Sequence, residues 1–349
     1  MGSKKTESEI EETSQKANEV VDLPSVESWC QTGCTILDLA ISNIFPGGIP
    51  IGRILHVYGG FSTCKSVLAA TILGYAQRAG METYYADVEH TLDERFAAIY
   101  GFDSKKSSIA HPRTLEDFFD GWVSSAVYKA DKGKNDKKKL NTKPKVLVGD
   151  SITALPAKIE DDKKMDEQGY GAYRAKQLSL GFRKYIKSIA ESNTTLVLID
   201  QTRDNMGSPF GGETTTGGRA PEFYPSVRLY LKHDSKVVNS SGRVIGIWTK
   251  FKITKNKVAP PFREGRFKIL FDYGLDDIAS NLFFISEEQN GKDDAKKART
   301  KIKLFGEEHT LKTWVKYIEE GNLEEDLRKE VWTLWQKVYE TEQRKVREW

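Results

Sequence analysis

The sequence predicts an α/β fold: a mostly parallel twisted sheet flanked by helices and built around a nucleotide-binding loop, followed by a small helical C-terminal domain. Three observations predict it. From Ile54 onward, short β-branched runs alternate with amphipathic stretches, the order that gives a parallel sheet covered on both faces. GGFSTCKS, Gly59 to Ser66, occupies the first strand-to-helix turn and matches the phosphate-loop pattern GxxxxGK(S/T) except at Cys64, where glycine is expected. From Leu311, apolar residues return at near-helical spacing: Trp314, Ile318, Leu327, Val331, Leu334, Trp335 and Val338.

The elements follow in order. Residues 1–28 carry few large apolar groups and read as a disordered or loosely helical arm, within which EIEETSQKANEVV could form a short helix. Ile54 to Tyr58 is a strand ending at Gly59 and Gly60, and SVLAATILGYAQRAG is a helix closed by Gly80. A strand over Thr83 to Val88 is expected beside the first, then helices near Leu92 to Tyr100 and Leu115 to Tyr128. Lys129 to Lys145 is dense in lysine and reads as a solvated insertion or a DNA-attracting patch. A strand from Lys145, a long helix over Ala172 to Ser192 and a strand over Thr195 to Ile199 continue the alternation. GSPFGGETTTGGRAP then breaks it; so polar and glycine-rich a loop inside a domain is usually functional. Strands Ser226 to Lys232, Val244 to Thr254 and Arg266 to Phe271 extend the sheet. The expected division is a polar N-terminal arm (1–28), open to an interprotomer role though without a strong amphipathic helix, an ATPase core (29–290) and a helical C-terminal domain (291–349).

Composition narrows the functional classes. With 349 residues and a formal net charge of +3, the chain gives no global electrostatic case for nucleic acid, so that case rests on where Lys and Arg sit. The longest apolar stretch is too short to span a bilayer, and the polar N-terminus lacks a secretion signal, so the cytoplasm is the expected compartment and no membrane partner is. The 3 cysteines, Cys30, Cys34 and Cys64, make neither a disulfide framework nor a zinc site; Cys30 and Cys34 read as small buried or half-buried residues.

A phosphate-binding loop needs inward backbone amides, a lysine for the β- and γ-oxygens and a hydroxyl for Mg2+. Lys65 and Ser66 supply the last two, and the helix dipole adds positive potential. Cys64 stands where glycine's conformational freedom is normally used, so it either weakens binding or reshapes the loop. Asp150, ending KVLVGDS, is the expected Mg2+ carboxylate, and Glu89, after TYYADV, is placed to activate water. Taken alone, each acid is more often a strand-end cap or surface group; with Lys65 and Ser66 in the right order they point to nucleotide hydrolysis.

GGFSTCKS, YADVEHTLDERFA, VLVGDSITAL, VLIDQTR, GGETTTGGRAPEFYPSVRL and TKFKITKNKVAPPF, in this order over about Gln31 to Asp272, resemble the RecA family of DNA recombinases, and with Cys64 especially its phage-encoded members. The resemblance implies a RecA-type P-loop core. It implies that Gly59, Gly60, Phe61, Ser62, Thr63, Cys64, Lys65 and Ser66 form the ATP loop, with Mg2+ on Ser66 and Asp150. By the same resemblance Glu89 activates water, Gln201 senses the γ-phosphate, and Asp93 and Phe96 contact adenine. Lys255 and Lys257 would reach a neighbour's ATP, with Phe271 packing near that nucleotide from across the interface. Two loops, about Glu160 to Gly171 and Arg203 to Gly218, match the family's DNA-binding loops. Thr214, Thr215, Thr216, Gly217 and Gly218 would approach phosphates, and Arg174, Arg183, Arg203, Arg219 and Arg228 would supply charge. Tyr170, Met206 and Phe210 would wedge between bases or pack within their loops.

The implied activity is a DNA-dependent ATPase that forms a homo-oligomeric filament on single-stranded DNA and pairs it with homologous duplex. Single-strand-binding and mediator proteins are further implied partners. The competing readings are a helicase-like or regulatory ATPase of the same fold, and a small-molecule P-loop kinase, for which no lid or acceptor pocket is visible in the sequence.

Overall fold

The computed structural model describes residues 23–129, 139–161, 171–204, 213–215, 220–297 and 299–339. Its centre is a ten-stranded sheet. Outside it, β1 (Trp29–Cys30) pairs with β2 (Ile49–Pro50). The sheet comprises β3 (Ile54–Gly59), β4 (Glu82–Asp87), β5 (Ser107–Ala110), β6 (Lys145–Asp150), β7 (Thr194–Asp204), β8 (Glu213–Thr215), β9 (Val227–Val238), β10 (Val244–Asn256), β11 (Glu264–Leu270) and β12 (Gly274–Asp276). The order β12-β11-β10-β9-β3-β7-β6-β4-β5 is parallel from β9 to β5 and antiparallel from β9 to β12, with β8 pairing only the end of β7. Alternation of strand and helix gives the parallel half; the three hairpin-linked strands give the rest.

The expected place of the TYYADV strand is corrected. β4 does not lie beside β3; β6 and β7 come between them. Successive right-handed crossovers carry the chain outward and then back, so the strand ends meet at the point where the order reverses.

Helices cover both faces. On one face lie α1 (Thr35–Ser42) and α2 (Lys65–Arg78), and α3 (Glu94–Ile99) follows β4. The stretch expected as one helix from Leu115 is a π-helical segment, Asp117–Val123, running into α4 (Ser124–Val127); its Phe118, Phe119 and Trp122 are buried against the other sheet face. With them packs α6 (Gly171–Glu191), which follows the short α5 (Lys158–Asp161). α7 (Ala220–Phe223), α8 (Asp277–Asn290), a hairpin of β13 (Lys301–Leu304) and β14 (Glu307–Thr310), α9 (Leu311–Gly321) and α10 (Glu324–Val338) complete the order. The hairpin and α8 were not foreseen. Trp314, Ile318, Leu327, Val331 and Trp335 are buried in the same hydrophobic cluster as Leu55, Leu68 and Leu229 of the sheet and α2. The last two described helices, α9 and α10, therefore pack directly on the core.

Residues 1–22 of the arm lie outside the described residues. Of its remainder, Leu23 packs on the core, the Arg53 guanidinium donates to the Pro24 carbonyl, and Ile51 N donates to Ser28 O at 3.0 Å, so 23–28 are part of the folded body rather than a loose arm. The lysine-rich insertion is described only at its stems, where Lys129 N donates to Lys139 O at 2.8 Å. Its last residue, Lys145, is fully buried, with the ammonium donating to the carbonyls of Asn141, Lys143 and Ser192; burial pushes its pKa down to about 8. Cys30 and Cys34 are buried free thiols, as expected. Among the described residues no helix is long and apolar enough to cross a membrane.

Candidate nucleotide and nucleic-acid site

The loop begins where β3 runs out between two parallel neighbours, Gly59 lying beside Gln201 of β7 and Leu231 of β9. A Cβ on Gly59 would stand 2.1 Å from the Leu231 carbonyl oxygen, so only glycine fits this approach. Ser62 and Cys64 then take φ of 55° and 64°. Cys64 does adopt the left-handed conformation that glycine usually supplies, and it does so as the cap of α2, with no side-chain hydrogen bond to the helix. Its thiol packs on the core, and burial raises its pKa to about 11.

Lys65 folds back over the loop, Nζ donating to Gly59 O at 3.0 Å and Gly60 O at 2.7 Å. Burial lowers its pKa, while Asp150, Asp200 and Glu89 oppose that shift. These carbonyl contacts are the ones that a phosphate would replace. Ser66 Oγ donates to Asp150 Oδ2 at 2.6 Å, and Tyr85 Oη donates to the same oxygen at 3.1 Å. Burial raises the Asp150 pKa and Glu89 adds to it; the two hydroxyls and Lys65 pull the other way. Glu89 Oε1 accepts from Ser151 Oγ at 2.7 Å and from Gln201 Nε2 at 3.3 Å. Although two strands separate β4 from β3, the reversal of strand order brings Glu89, Asp150 and Gln201 to one edge, above Lys65 and Ser66.

A cleft of about 660 Å3 opens here, lined by the loop from Phe61 to Ser66 and by Glu89, Asp150, Gln201, Phe96, Tyr100 and Phe271. Its size is that of a small-molecule site. Phe96 meets Tyr100 edge to face at 4.9 Å, and Tyr100 Oη donates to Phe271 O at 3.3 Å. Phe271 thus lies in this chain's own cleft, which corrects its expected approach from a neighbour. Asp93 is nearby but caps α3, accepting from Arg95 N at 2.8 Å and Phe96 N at 3.4 Å. His233 and Lys236 also line the cleft, and sequence reading missed both. The strand was expected to end at Lys232, because apolar alternation stops in KHDSK; β9 instead continues to Val238 and overhangs the site. Tyr85 and Ser151, which hold the two acids, were missed too, although Ser151 directly follows Asp150.

Lys255 and Lys257 sit elsewhere. Lys255 pairs across β10–β9 with Arg228, near the edge where β3 begins, whereas Gly59 and the cleft lie where β3 ends. Lys255 Nζ donates to the carbonyls of Glu222, at 2.8 Å, and Phe223, and desolvation lowers its pKa to about 8. Neither lysine lines this chain's cleft.

Of the DNA candidates, Tyr170, Met206, Phe210, Thr216, Gly217, Gly218 and Arg219 lie outside the described residues. The stems of the second loop pair as a ribbon: Thr202 faces Thr215, Arg203 faces Thr214, and Asp204 faces Glu213. β7 was expected to end at Ile199 but runs on to Asp204 through this pairing. Arg174, in the first turn of α6, donates to Thr153 O, and Arg183 is exposed more than two turns along the same helix. Arg228 is not at an open surface. Its guanidinium lies 4.5 Å over the Tyr58 ring, donates from Nε to His56 Nδ1 at 3.3 Å and reaches Glu222 at 3.7 Å.

Residues 16–276 match the family profile described as the RecA N-terminal domain. The chain is 36% identical over 249 residues to Protein RecA of Thermus thermophilus, covering 71% of this chain and 68% of that one. Protein RecA of Clostridium botulinum is 34% identical over 259 residues, 74% of this chain and 67% of the relative. Protein RecA of Chlamydia trachomatis is 36% identical over 249 residues, 71% and 66% respectively.

Proposed function

The chain belongs to the RecA family of homologous recombinases, DNA-dependent ATPases that drive strand exchange, and on that premise we propose how its residues divide the work. One observation carries the division: β7 brings Gln201 to the nucleotide cleft and, three residues later, enters the Gly-Thr loop, so both sites share one strand.

At the cleft, Lys65 and the loop amides from Gly60 to Ser66 bind the ATP phosphates. Ser66 and Asp150 present hard oxygens on adjoining atoms, a donor pair that fits Mg2+, which when bound offsets phosphate charge. Glu89 takes the proton of the attacking water, oriented by Ser151, and Gln201 reads the γ-phosphate through the oxygen it shares with Ser151. Phe96, Tyr100 and Phe271 enclose the base from within the same chain, and Asp93 borders it. Lys255 and Lys257, on the far edge, serve a neighbouring protomer's nucleotide in a helical filament, which makes ATP an interface ligand.

The two loops hold single-stranded DNA. Arg203 and Arg219 with Thr214 to Gly218 take the backbone, Tyr170, Met206 and Phe210 take the bases, and Arg174 and Arg183 add charge on the α6 side. Homologous duplex is the second substrate, and single-strand-binding and mediator proteins act on the assembly. The likeness to phage-encoded members rests on Cys64 and on the C-terminal segment beyond the matched region; the relatives compared are bacterial. The arm, core and C-terminal divisions are functional units in this reading, the last fastened to the core.

The test is ATP turnover with and without single-stranded DNA, run beside a strand-exchange assay. DNA is expected to raise turnover, and Lys65→Ala to abolish both activities with the fold retained. Turnover indifferent to DNA, with no exchange, would overturn the assignment.

A further inference from the structure

His56 lies in β3 three residues before Gly59 and has no solvent exposure. Its Nε2 is 3.2 Å from Asp200 Oδ2, which belongs to β7 and directly precedes Gln201. Its Nδ1 receives a hydrogen bond from Arg228 Nε on β9. A guanidinium only donates, so Nδ1 must accept, the proton sits on Nε2, and Nε2 donates to Asp200. The bonds therefore run one way, from Arg228 through the imidazole to Asp200.

Beyond Arg228 the chain continues to Glu222, whose helix α7 is the first described element after the Gly-Thr loop. Asp200 stands on the strand that enters the loop. One imidazole, on the strand that becomes the phosphate loop, thus links both stems of the Gly-Thr loop. The Asp200 carboxylate has little else to hold it: its other oxygen, Oδ1, is buried with no hydrogen-bond partner among the described residues.

We infer that His56 is a positioning residue that couples occupancy of the Gly-Thr loop by DNA to Gln201 and Glu89 at the nucleotide. The inference rests on the roles proposed above for that loop and for Gln201. When DNA shifts the loop stems, Arg228 and α7 move with them; the imidazole passes the displacement to Asp200, and the adjoining Gln201 turns towards or away from Glu89.

The test compares DNA-stimulated with DNA-independent ATP turnover in the full chain, using a defined single-stranded oligonucleotide. Coupling energies between sites typically correspond to about 5–150-fold. His56→Leu is expected to cut the stimulation ratio by about fivefold or more, leaving DNA-independent turnover near wild type and lowering the unfolding midpoint, because Asp200 loses its buried partner. His56→Gln, whose amide can accept from Arg228 and donate to Asp200, is expected to restore the ratio, which a purely space-filling role would not require. Glu222→Ala, at an exposed position, is expected to lower the ratio in the same direction. A folded His56→Leu protein with wild-type stimulation overturns the inference, as does a folded His56→Gln protein as uncoupled as His56→Leu. If His56→Leu does not fold, full stimulation in Glu222→Ala overturns it instead. A wild-type protein that DNA does not stimulate removes the reading of the loop, and the inference with it.

Discussion

Cys64 holds a backbone conformation that costs an L-residue about 1–2 kcal/mol, and it does so at the hinge of the nucleotide loop. Cys64→Gly removes that cost and some thiol packing. The expected net result is a gain of up to about 1 kcal/mol in urea unfolding; a loss would show that packing outweighs strain. His56 sets a pH dependence of opposite origin. Burial lowers its folded pKa below the ordinary 6.5, with Asp200 and Glu222 opposing the shift and Arg228 reinforcing it. Above 6.5 neither state binds the proton and stability is undiminished. As pH falls from 6.5 towards the folded value, the unfolded chain binds a proton that the native one refuses, and stability drops. The urea midpoint is expected to fall more between pH 7.5 and 5.5 in wild type than in His56→Gln. Cys64, Lys65, Ser66, Asp150 and Glu89 were legible as a candidate site, because phosphate chemistry limits which residue types can follow a strand, whereas Gln201 was reached by resemblance alone; all of them line one cleft. The buried His56 was not, because nothing local distinguishes it from an ordinary strand residue; its partners are 144 and 172 residues away.

Among the elements, β3, β4, β6 and β7 of the parallel half were legible as short β-branched or apolar runs alternating with helical patterns, whereas the parallel edge strand β5, with the polar sequence SSIA, was not. The places that failed share a cause. β9 beyond Lys232 and β8 lack clean apolar alternation, and β13, whose KIKL does alternate, is only four residues long, so pairing partners define these strands more than local composition does. The attachment of the C-terminal helices was equally hidden. Asp277, in the first turn of α8, accepts from Thr35 N at 2.7 Å, Thr35 Oγ1 at 2.8 Å and Arg328 Nε at 3.1 Å, and so joins α8, α1 and α10. Trp335 Nε1 adds a bond to Asn43 at 3.1 Å. Arg328→Ala leaves Asp277 with its threonine bonds alone and is expected to cost about 1–3 kcal/mol. Denaturant unfolding should show that loss in the main cooperative transition. A separate early transition confined to α9 and α10 would mean that these helices unfold on their own.

For the whole molecule, the governing fact is that the cleft and the Lys255–Lys257 pair occupy opposite ends of the same strands. In the proposed division of work, a protomer so built does not complete its own site with its own lysines. Mixing Lys255→Ala/Lys257→Ala protomers with Glu89→Ala protomers should therefore return part of the turnover that each lacks alone, since some junctions combine an intact cleft with intact lysines. Turnover that stays at the sum of the two separate proteins would show that each protomer works alone. The sequence suggested the lysines' role by resemblance; the β9–β10 register adds that both lie away from this chain's own cleft.

That register has an arithmetical consequence. Unlike surfaces joined head to tail leave two dissimilar ends in an open array. If Lys255 and Lys257 complete a neighbour's site as proposed, one terminal protomer offers lysines to nobody, and the other holds a nucleotide that no neighbour completes. Every array then carries a single idle site whatever its length, so output per protomer climbs as arrays lengthen, and short pieces are penalised by their own ends.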